Sequence, residues 1–328
     1  MNEWKAIVGR LCTARARSVL ATLVSVEGSS YRRPGARMLI SAGRRRIGSI
    51  SGGCLEEDLV ERSARVRSTG RPELVTYDTT TENDLVWGVG LGCHGIVRIL
   101  LEPVAPRPPW ALAAAENLRS GRATELAVVW ENAGGPVGTG LAGATAAGDS
   151  GIFTESVSAP TALAIFGAGD DARPLARIAV ELGWSVTVAD PRPSMLTGAR
   201  FPGAAGLVLG PADELAARAS PPPGSLAVIM THHYRRDLPL LRHLLPLPLA
   251  YLGLLGPRVR AERLLGEVAA GGLEITPEMR SRLHAPVGLD LGADSPGEVA
   301  LSIIAEMRAS LSGRDARPLR DRSLPIHA

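Results

Sequence analysis

The sequence predicts an α/β protein in two parts: a mixed α/β domain over residues 1–105 and a doubly wound parallel sheet over 160–328, joined by a connector at 106–159. Three observations carry this. From residue 160 onward, short apolar strands alternate with helix-length segments, which is the pattern of a parallel sheet built from βαβ units. The string "APRPPW" at 105–110 marks a boundary, because adjacent prolines neither continue a helix nor donate to a sheet. A chain of 328 residues also exceeds one ordinary domain.

In order along the first part, residues 4–17 place apolar side chains at helical spacing, and "SVLATLVSVEG" is rich in β-branched residues and reads as a buried strand. "RMLISAG" and "RRRIGSI" form a hairpin pattern around Gly43, and "LEEDLVERSARVRST" is an amphipathic helix that stops before Gly70. "PELVTYDT" and "GIVRILLEPV" follow as strands. The connector holds a short helix at 111–121, a strand, and the small-residue run "ENAGGPVGTGLAGATAAGDSG", which has little side chain to bury.

In the second part the strands are "TALAIFGAG", "WSVTVAD", "AAGLVLG", "SLAVIMT" and "LAYLGLLG", with helices expected over 172–182, 212–219 and 236–245. A last helix has a sharp start. Ser295 is placed as N-cap, Pro296 in the first turn and Glu298 three residues on, a capping box ahead of "VALSIIAEM".

Composition narrows the function. The formal net charge is only +3 and the arginines are scattered, with Lys5 the only lysine, so a nucleic-acid surface is not expected. No apolar run reaches the about 18 residues of a membrane span, and the N-terminal stretch lacks the apolar block of a signal peptide, so a cytoplasmic location is expected. Cys12, Cys54 and Cys93 are too few and too scattered for a disulfide framework and are read as thiols or ligands.

The general motif with the most context is "AIFGAGDDARPLARIAVELGWSVTVADPR". Gly167, Gly169 and Ala172 fit G-x-G-x-x-G/A between a strand and a helix, and Asp190 ends the next strand 21 residues past Gly169, as in a Rossmann-like nucleotide fold. Gly167 suits a tight turn, Gly169 a close pyrophosphate, and Asp190 the ribose hydroxyls. Asp170 and Asp171 disturb this picture: they would repel a pyrophosphate unless they turn away or hold a cation, and the plainer reading is helix stabilisation by acidic residues at the first turn. At other strand ends, "HHYRRD" supplies His232, His233, Arg235 and Asp237, and "GPRVR" supplies Arg258 and Arg260, a set suited to an anionic phosphate or pterin-type ligand.

"SISGGCLEEDLV" at 49–60 sets Cys54 after Gly52 and Gly53 and before a helix, where the positive end of the helix favours thiolate. Such a thiol binds soft sulfur or metal, acts as a nucleophile, or simply fills a tight loop with a small side chain. "WGVGLGCHG" at 87–95 repeats the theme with Cys93 and His94, which do not make a zinc site by themselves.

Six segments, "SISGGCLEEDL", "GLGCHGIVRILLEP", "IFGAGDDARPLARIAVELGWSVTVADPRP", "THHYRRDLPLL", "YLGLLGPRVR" and "LHAPVGLDLGADSPGEVALSIIAEM", together resemble the XdhC/CoxI family of accessory proteins for molybdenum-cofactor enzymes, from about residue 15 to 310. The resemblance implies an N-terminal XdhC/CoxI-type domain and a C-terminal Rossmann-like domain in a homodimer. It implies a chaperone, rather than a catalyst, that binds molybdenum cofactor (molybdopterin or its cytosine dinucleotide form), supports its sulfuration with sulfur from a cysteine desulfurase, and inserts it into the apoenzyme of a molybdenum hydroxylase such as xanthine dehydrogenase, aldehyde oxidase or carbon monoxide dehydrogenase. Carried onto this chain, the cofactor-binding candidates are Gly52, Gly53, Cys54, Cys93, His94, Gly167, Gly169, Asp170, Asp190, Arg192, His232, His233, Arg258 and the "HAPVGLD" segment, with Cys54 the candidate for any catalytic sulfur transfer. Two departures stand out: His94 where relatives often carry a second glycine, and Asp170 where many Rossmann relatives carry histidine. The alternative is an NAD(P)-dependent oxidoreductase on the Rossmann motif, in which His232, His233 or His284 would move the proton.

Overall fold

The computed structural model describes residues 1–28, 30–78, 95–132, 135–143 and 151–323, in two compact units, Met1–Ala159 and Pro160–Ala328. The first unit begins with α1 (Asn2–Thr13), β1 (Ser18–Gly28), β2 (Arg37–Ile40) and β3 (Arg46–Gly48), with Gly43 at φ 74° in the turn between the last two. α2 (Glu56–Thr69), β4 (Glu73–Asp78) and β5 (Gly95–Val104) complete an antiparallel sheet of order β3-β2-β1-β5-β4. Successive side chains of β1 point to opposite faces, and both faces are covered. Val19, Ala21 and Leu23 meet Leu59, Val60 and Val66 of α2, whereas Leu20 joins Trp4, Ile7 and Leu11 of α1. β1 is therefore apolar almost throughout rather than alternating.

The expected connector carries more structure than one helix and one strand. α3 (Pro109–Arg119) is followed by β6 (Thr124–Val129), β7 (Gly138–Leu141) and β8 (Ile152–Val157) in a sheet of order β7-β6-β8. Trp110, Ala111, Ala114 and Leu126 share the α1 core, and Trp110 stacks on Trp4 at 6.0 Å. Glu102 of β5 is buried and accepts from the Thr139 backbone N–H at 2.8 Å and from the Thr139 hydroxyl. Burial pushes the Glu102 carboxyl up despite those bonds. Gly138 is required beside it, since a Cβ there would lie 2.7 Å from the carboxylate.

The second unit runs β9 (Ala162–Phe166), α4 (Ala172–Glu181), β10 (Ser185–Asp190), β11 (Gly206–Leu209), α5 (Leu215–Ala219), β12 (Leu226–Ile229), α6 (Tyr234–Leu244), β13 (Tyr251–Leu254), α7 (Arg258–Ala270), α8 (Pro277–Arg282), β14 (Leu283–His284) and α9 (Pro296–Ser312). Its six strands are all parallel, in the order β11-β10-β9-β12-β13-β14. One face packs against α4 and α9, through Leu175, Ala176, Ile303 and Met307. The other packs against α5, α6 and α7, through Leu215, Leu241 and Leu264. The chain moves outward from β9 to β11 and then returns to β12, so the direction reverses between β9 and β12, where such sheets take their ligands. Two sequence expectations shift here. α6 begins at Tyr234, two residues earlier than expected, which brings Arg235 into the helix beside Asp237, and Arg258 and Arg260, expected at a strand end, lie in the first turn of α7. Among the described residues, no helix is long and apolar enough to cross a membrane.

Candidate functional site

The Cys54 loop is built on a buried carboxylate. Glu56, in the first turn of α2, is 3% exposed, and its Oε1 accepts from the backbone N–H of Ser51 at 2.8 Å and of Ile50 at 3.1 Å. The Ser51 hydroxyl donates to Glu56 Oε2 at 2.5 Å and accepts from the N–H groups of Gly53 and Leu55, each at 3.2 Å. Burial alone would raise the Glu56 carboxyl, but the Ser51 hydroxyl and the two N–H groups outweigh it and hold the group below the usual glutamate value. The Cys54 thiol is exposed and donates to Ser51 Oγ at 3.3 Å. The result is a thiol, hydroxyl and carboxylate in series on a pinned turn.

Gly53 sits at φ 121°, a conformation that excludes ordinary side chains, and a Cβ on Gly52 or Gly53 would meet nothing within 4 Å. The thiol therefore stands beside bare, open backbone. A bulky ligand with a soft metal fits this donor set. The neighbouring first-turn carboxylates are engaged elsewhere: Glu57 with Arg44 at 2.7 Å and Asp58 with Arg62 at 2.7 Å. Cys93 and His94 lie outside the described residues. Among the described residues, no three His, Cys, Asp or Glu side chains are grouped as a metal site.

In the second unit, Gly167 follows β9 at φ 119°, and its missing side chain admits the Met230 carbonyl at the end of β12, which would lie 2.5 Å from a Cβ. The structure brings Asp170, Asp171, Asp190, Arg192 and His232 to this crevice. Asp190 is 1% exposed and accepts from Ala168 N (2.7 Å), Arg192 N (2.9 Å), Arg192 Nε (2.9 Å) and Arg192 Nη2 (2.8 Å). Burial would raise its carboxyl, but the Arg192 fork and the two N–H groups win and lower it. Both carboxylate oxygens are thus taken by the chain's own donors, where ribose hydroxyls were expected. Asp170 points outward to Arg200 at 3.0 Å, and the guanidinium holds it below the ordinary aspartate value.

Asp171 turns inward. Its Oδ1 accepts from Ala172 N at 3.0 Å and its Oδ2 lies 2.6 Å from His232 Nε2. A Cβ on Gly169 would sit 2.6 Å from Asp171 Oδ1, so the second glycine of the motif makes room for this carboxylate. The Ala172 N–H at the start of α4 and the donors around Asp190 are thus engaged by the chain's own carboxylates. His233 stands at the N-cap position of α6 without a side-chain cap bond and is exposed, while Asp237 is buried against Arg260 and the Thr231 hydroxyl, with burial raising its carboxyl. Arg258 is exposed at the start of α7. In the "HAPVGLD" segment, His284 stacks on Tyr251 at 4.2 Å and pairs through Nδ1 with Glu306 at 3.2 Å, and Gly288 N donates to the same carboxylate at 2.8 Å.

Sequence reasoning passed over Ser51 and Glu56 because Glu56 is one of three successive acidic residues, and only burial separates it from Glu57 and Asp58. It passed over Arg200 and the Asp171–His232 pair because 61 residues separate the latter two.

The chain matches the XdhC and CoxI family over residues 11–78 and the XdhC Rossmann domain over 163–307. It is 32% identical over 329 residues to a probable xanthine dehydrogenase subunit of Bacillus subtilis (strain 168), covering 94% of this chain and 97% of that one. It is 25% identical over 300 residues to the molybdenum cofactor insertion chaperone PaoD of Escherichia coli (strain K12), covering 88% and 82%. The crystal structure of a xanthine dehydrogenase from Bacillus halodurans superposes with a TM-score of 0.81 at 30% identity, over 96% of this chain and 98% of that one.

Proposed function

Because the chain belongs to the XdhC and CoxI family, we propose that it is a maturation factor that binds molybdenum cofactor and delivers it to the apoenzyme of a molybdenum hydroxylase of the xanthine dehydrogenase, aldehyde oxidase or carbon monoxide dehydrogenase type. The observation that carries the reading is the exposed Cys54 thiol on a turn fixed by Ser51 and Glu56, with open glycine backbone on its approach side. The insertion role of PaoD supports the same reading from outside the chain.

When bound, the cofactor supplies a soft, sulfur-held metal and a phosphate. Cys54 offers the matching soft donor. Ser51 accepts the thiol hydrogen bond and passes its own to Glu56, which fixes the direction of the sulfur and keeps the turn from collapsing onto it. Gly52 and Gly53 keep bulk away from the approach, so a rigid tricyclic ligand can come close to the backbone. Sulfuration extends the proposal: the chain holds the cofactor while a cysteine desulfurase furnishes sulfur, acting in the cytoplasm as a homodimer.

The test is retention of cofactor by the full chain on gel filtration, offered separately as molybdopterin and as its cytosine dinucleotide form. Wild type is expected to retain one of them, and Cys54→Ser to bind it about tenfold or more weakly. Retention by wild type no greater than that of an unrelated Rossmann-fold protein removes the proposal. Equal retention by Cys54→Ser removes the role given to the thiol.

A further inference from the structure

We propose that Asp171 is the specificity-determining residue of the Rossmann crevice, a resident carboxylate that occupies the pyrophosphate seat and excludes dinucleotides from it. The inference stands apart from whichever ligand Cys54 meets, since it concerns only residues of the second unit.

In a sheet of this order a dinucleotide places its pyrophosphate on the N-terminus of the helix after the first strand, where N–H groups and the helix dipole attract negative charge. Here that helix is α4, and the charge is already present. Asp171 Oδ1 accepts the Ala172 N–H at 3.0 Å. It also fills the space above Gly169, lying 2.6 Å from the point a Cβ would occupy, which is the room that a second glycine ordinarily leaves for phosphate oxygens. The Asp171 side chain is 15% exposed, so it is packed into this place rather than waving above it.

His232 keeps it there. Its Nε2 is 2.6 Å from Asp171 Oδ2, and its backbone adopts φ 56°, a left-handed conformation unusual for a residue with a side chain. Such an outlier persists when the surroundings fix it. The residue stands where the sheet reverses, just past the end of β12, so the imidazole reaches the loop after β9 across the crevice itself.

The ribose half of the contact set is filled in the same manner. Asp190, the expected acceptor of ribose hydroxyls, receives three donors from Arg192 and one from Ala168. A carboxylate stands in for the pyrophosphate and a guanidinium for the ribose. The G-x-G-x-x-A pattern of this chain therefore preserves the geometry of the turn while using its donors internally, and the crevice is left for a ligand without a pyrophosphate.

The proposal is tested by calorimetric titration of the full chain with ADP-ribose and with inorganic pyrophosphate, for wild type, Asp171→Asn, Asp171→Ala and His232→Ala. Wild type is expected to bind neither tightly. Asp171→Ala, which opens the space and removes the charge, is expected to gain about tenfold or more in ADP-ribose affinity. His232→Ala is expected to gain less, because Asp171 retains the Ala172 N–H. Asp171→Asn keeps the shape and serves if the alanine variant fails to fold, with a gain expected from loss of charge alone. Binding of ADP-ribose by wild type as tight as by Asp171→Ala, or weaker binding by both Asp171 variants, overturns the proposal. Loss of molybdenum-cofactor retention by Cys54→Ser leaves it untouched.

Discussion

A carboxylate that is 3% exposed and ionised has to be matched by donors, and Glu56 is matched by the N–H groups of Ile50 and Ser51 and by the Ser51 hydroxyl. Removing it strands those donors in a buried turn, so Glu56→Ala is expected to destabilise the first unit by about 3 kcal/mol, the range for breaking a buried hydrogen-bond network. The pH dependence follows from the direction of the shift. Because the folded state holds Glu56 below its unfolded value, the carboxylate contributes stability that is fully present above about pH 4.3 and is lost as pH falls through the lower folded value. Urea titrations from neutral pH downward should therefore show the wild type and Glu56→Ala curves converging below about pH 4.3. A gap that stays constant into acid would mean that Glu56 acts by packing rather than by charge. The same substitution frees the Cys54 turn, so a thiol probe should report a changed reaction rate at Cys54 under conditions where the unit remains folded.

At the scale of elements, α9 shows what a local signal is worth. Ser295 Oγ accepts from Glu298 N, and Glu298 Oε2 accepts from Ser295 N at 2.8 Å, which closes the capping box. Ser295→Ala is expected to cost about 1 kcal/mol, read as a lower urea midpoint of the second unit, and an unchanged midpoint would show that the α4 and Tyr251 contacts fix α9 without its cap. This helix was legible in the sequence because cap, proline and apolar period agree. So were β1, β9, β10 and β12, whose short apolar runs between turn signals leave no competing pattern. Elements with weaker signals escaped. β7 is "GTGL", two glycines in four residues, held by Glu102 and Thr139 rather than by propensity. β14 is two residues long and exists only through pairing with β13. α7 hid behind its arginines: Pro257 at the N-cap and apolar Ala261, Leu264, Leu265 and Val268 were present, but Arg258 and Arg260 drew the reading towards an anion-binding set at a strand end. For the site, Gly167, Asp190 and His232 were placed at the crevice from the motif and the strand ends. What the sequence could not carry is which group faces which, because Asp171 with His232 and Asp190 with Arg192 are choices of side-chain direction made by the turn.

Across the whole molecule, stability divides along the clusters that exclude water. The second unit closes two apolar cores on the opposite faces of its parallel sheet, and the first closes its own around β1, α1 and α2. Each unit is of a size that folds by itself. We propose a boundary at 159/160, with residues 106–159 unfolding together with the first unit, since Trp110 and Leu126 share a core with Trp4, Ile7 and Leu11. Scanning calorimetry is expected to show two transitions. Glu56→Ala should lower one and Ser295→Ala the other. Trp110→Ala decides the place of the middle segment: truncation of a 6% exposed tryptophan costs about 3–5 kcal/mol, and the loss should appear in the transition that Glu56→Ala moves. A third transition moved by Trp110→Ala alone would make residues 106–159 an independent linker domain, and a single transition moved by all three variants would mean that the two units unfold as one.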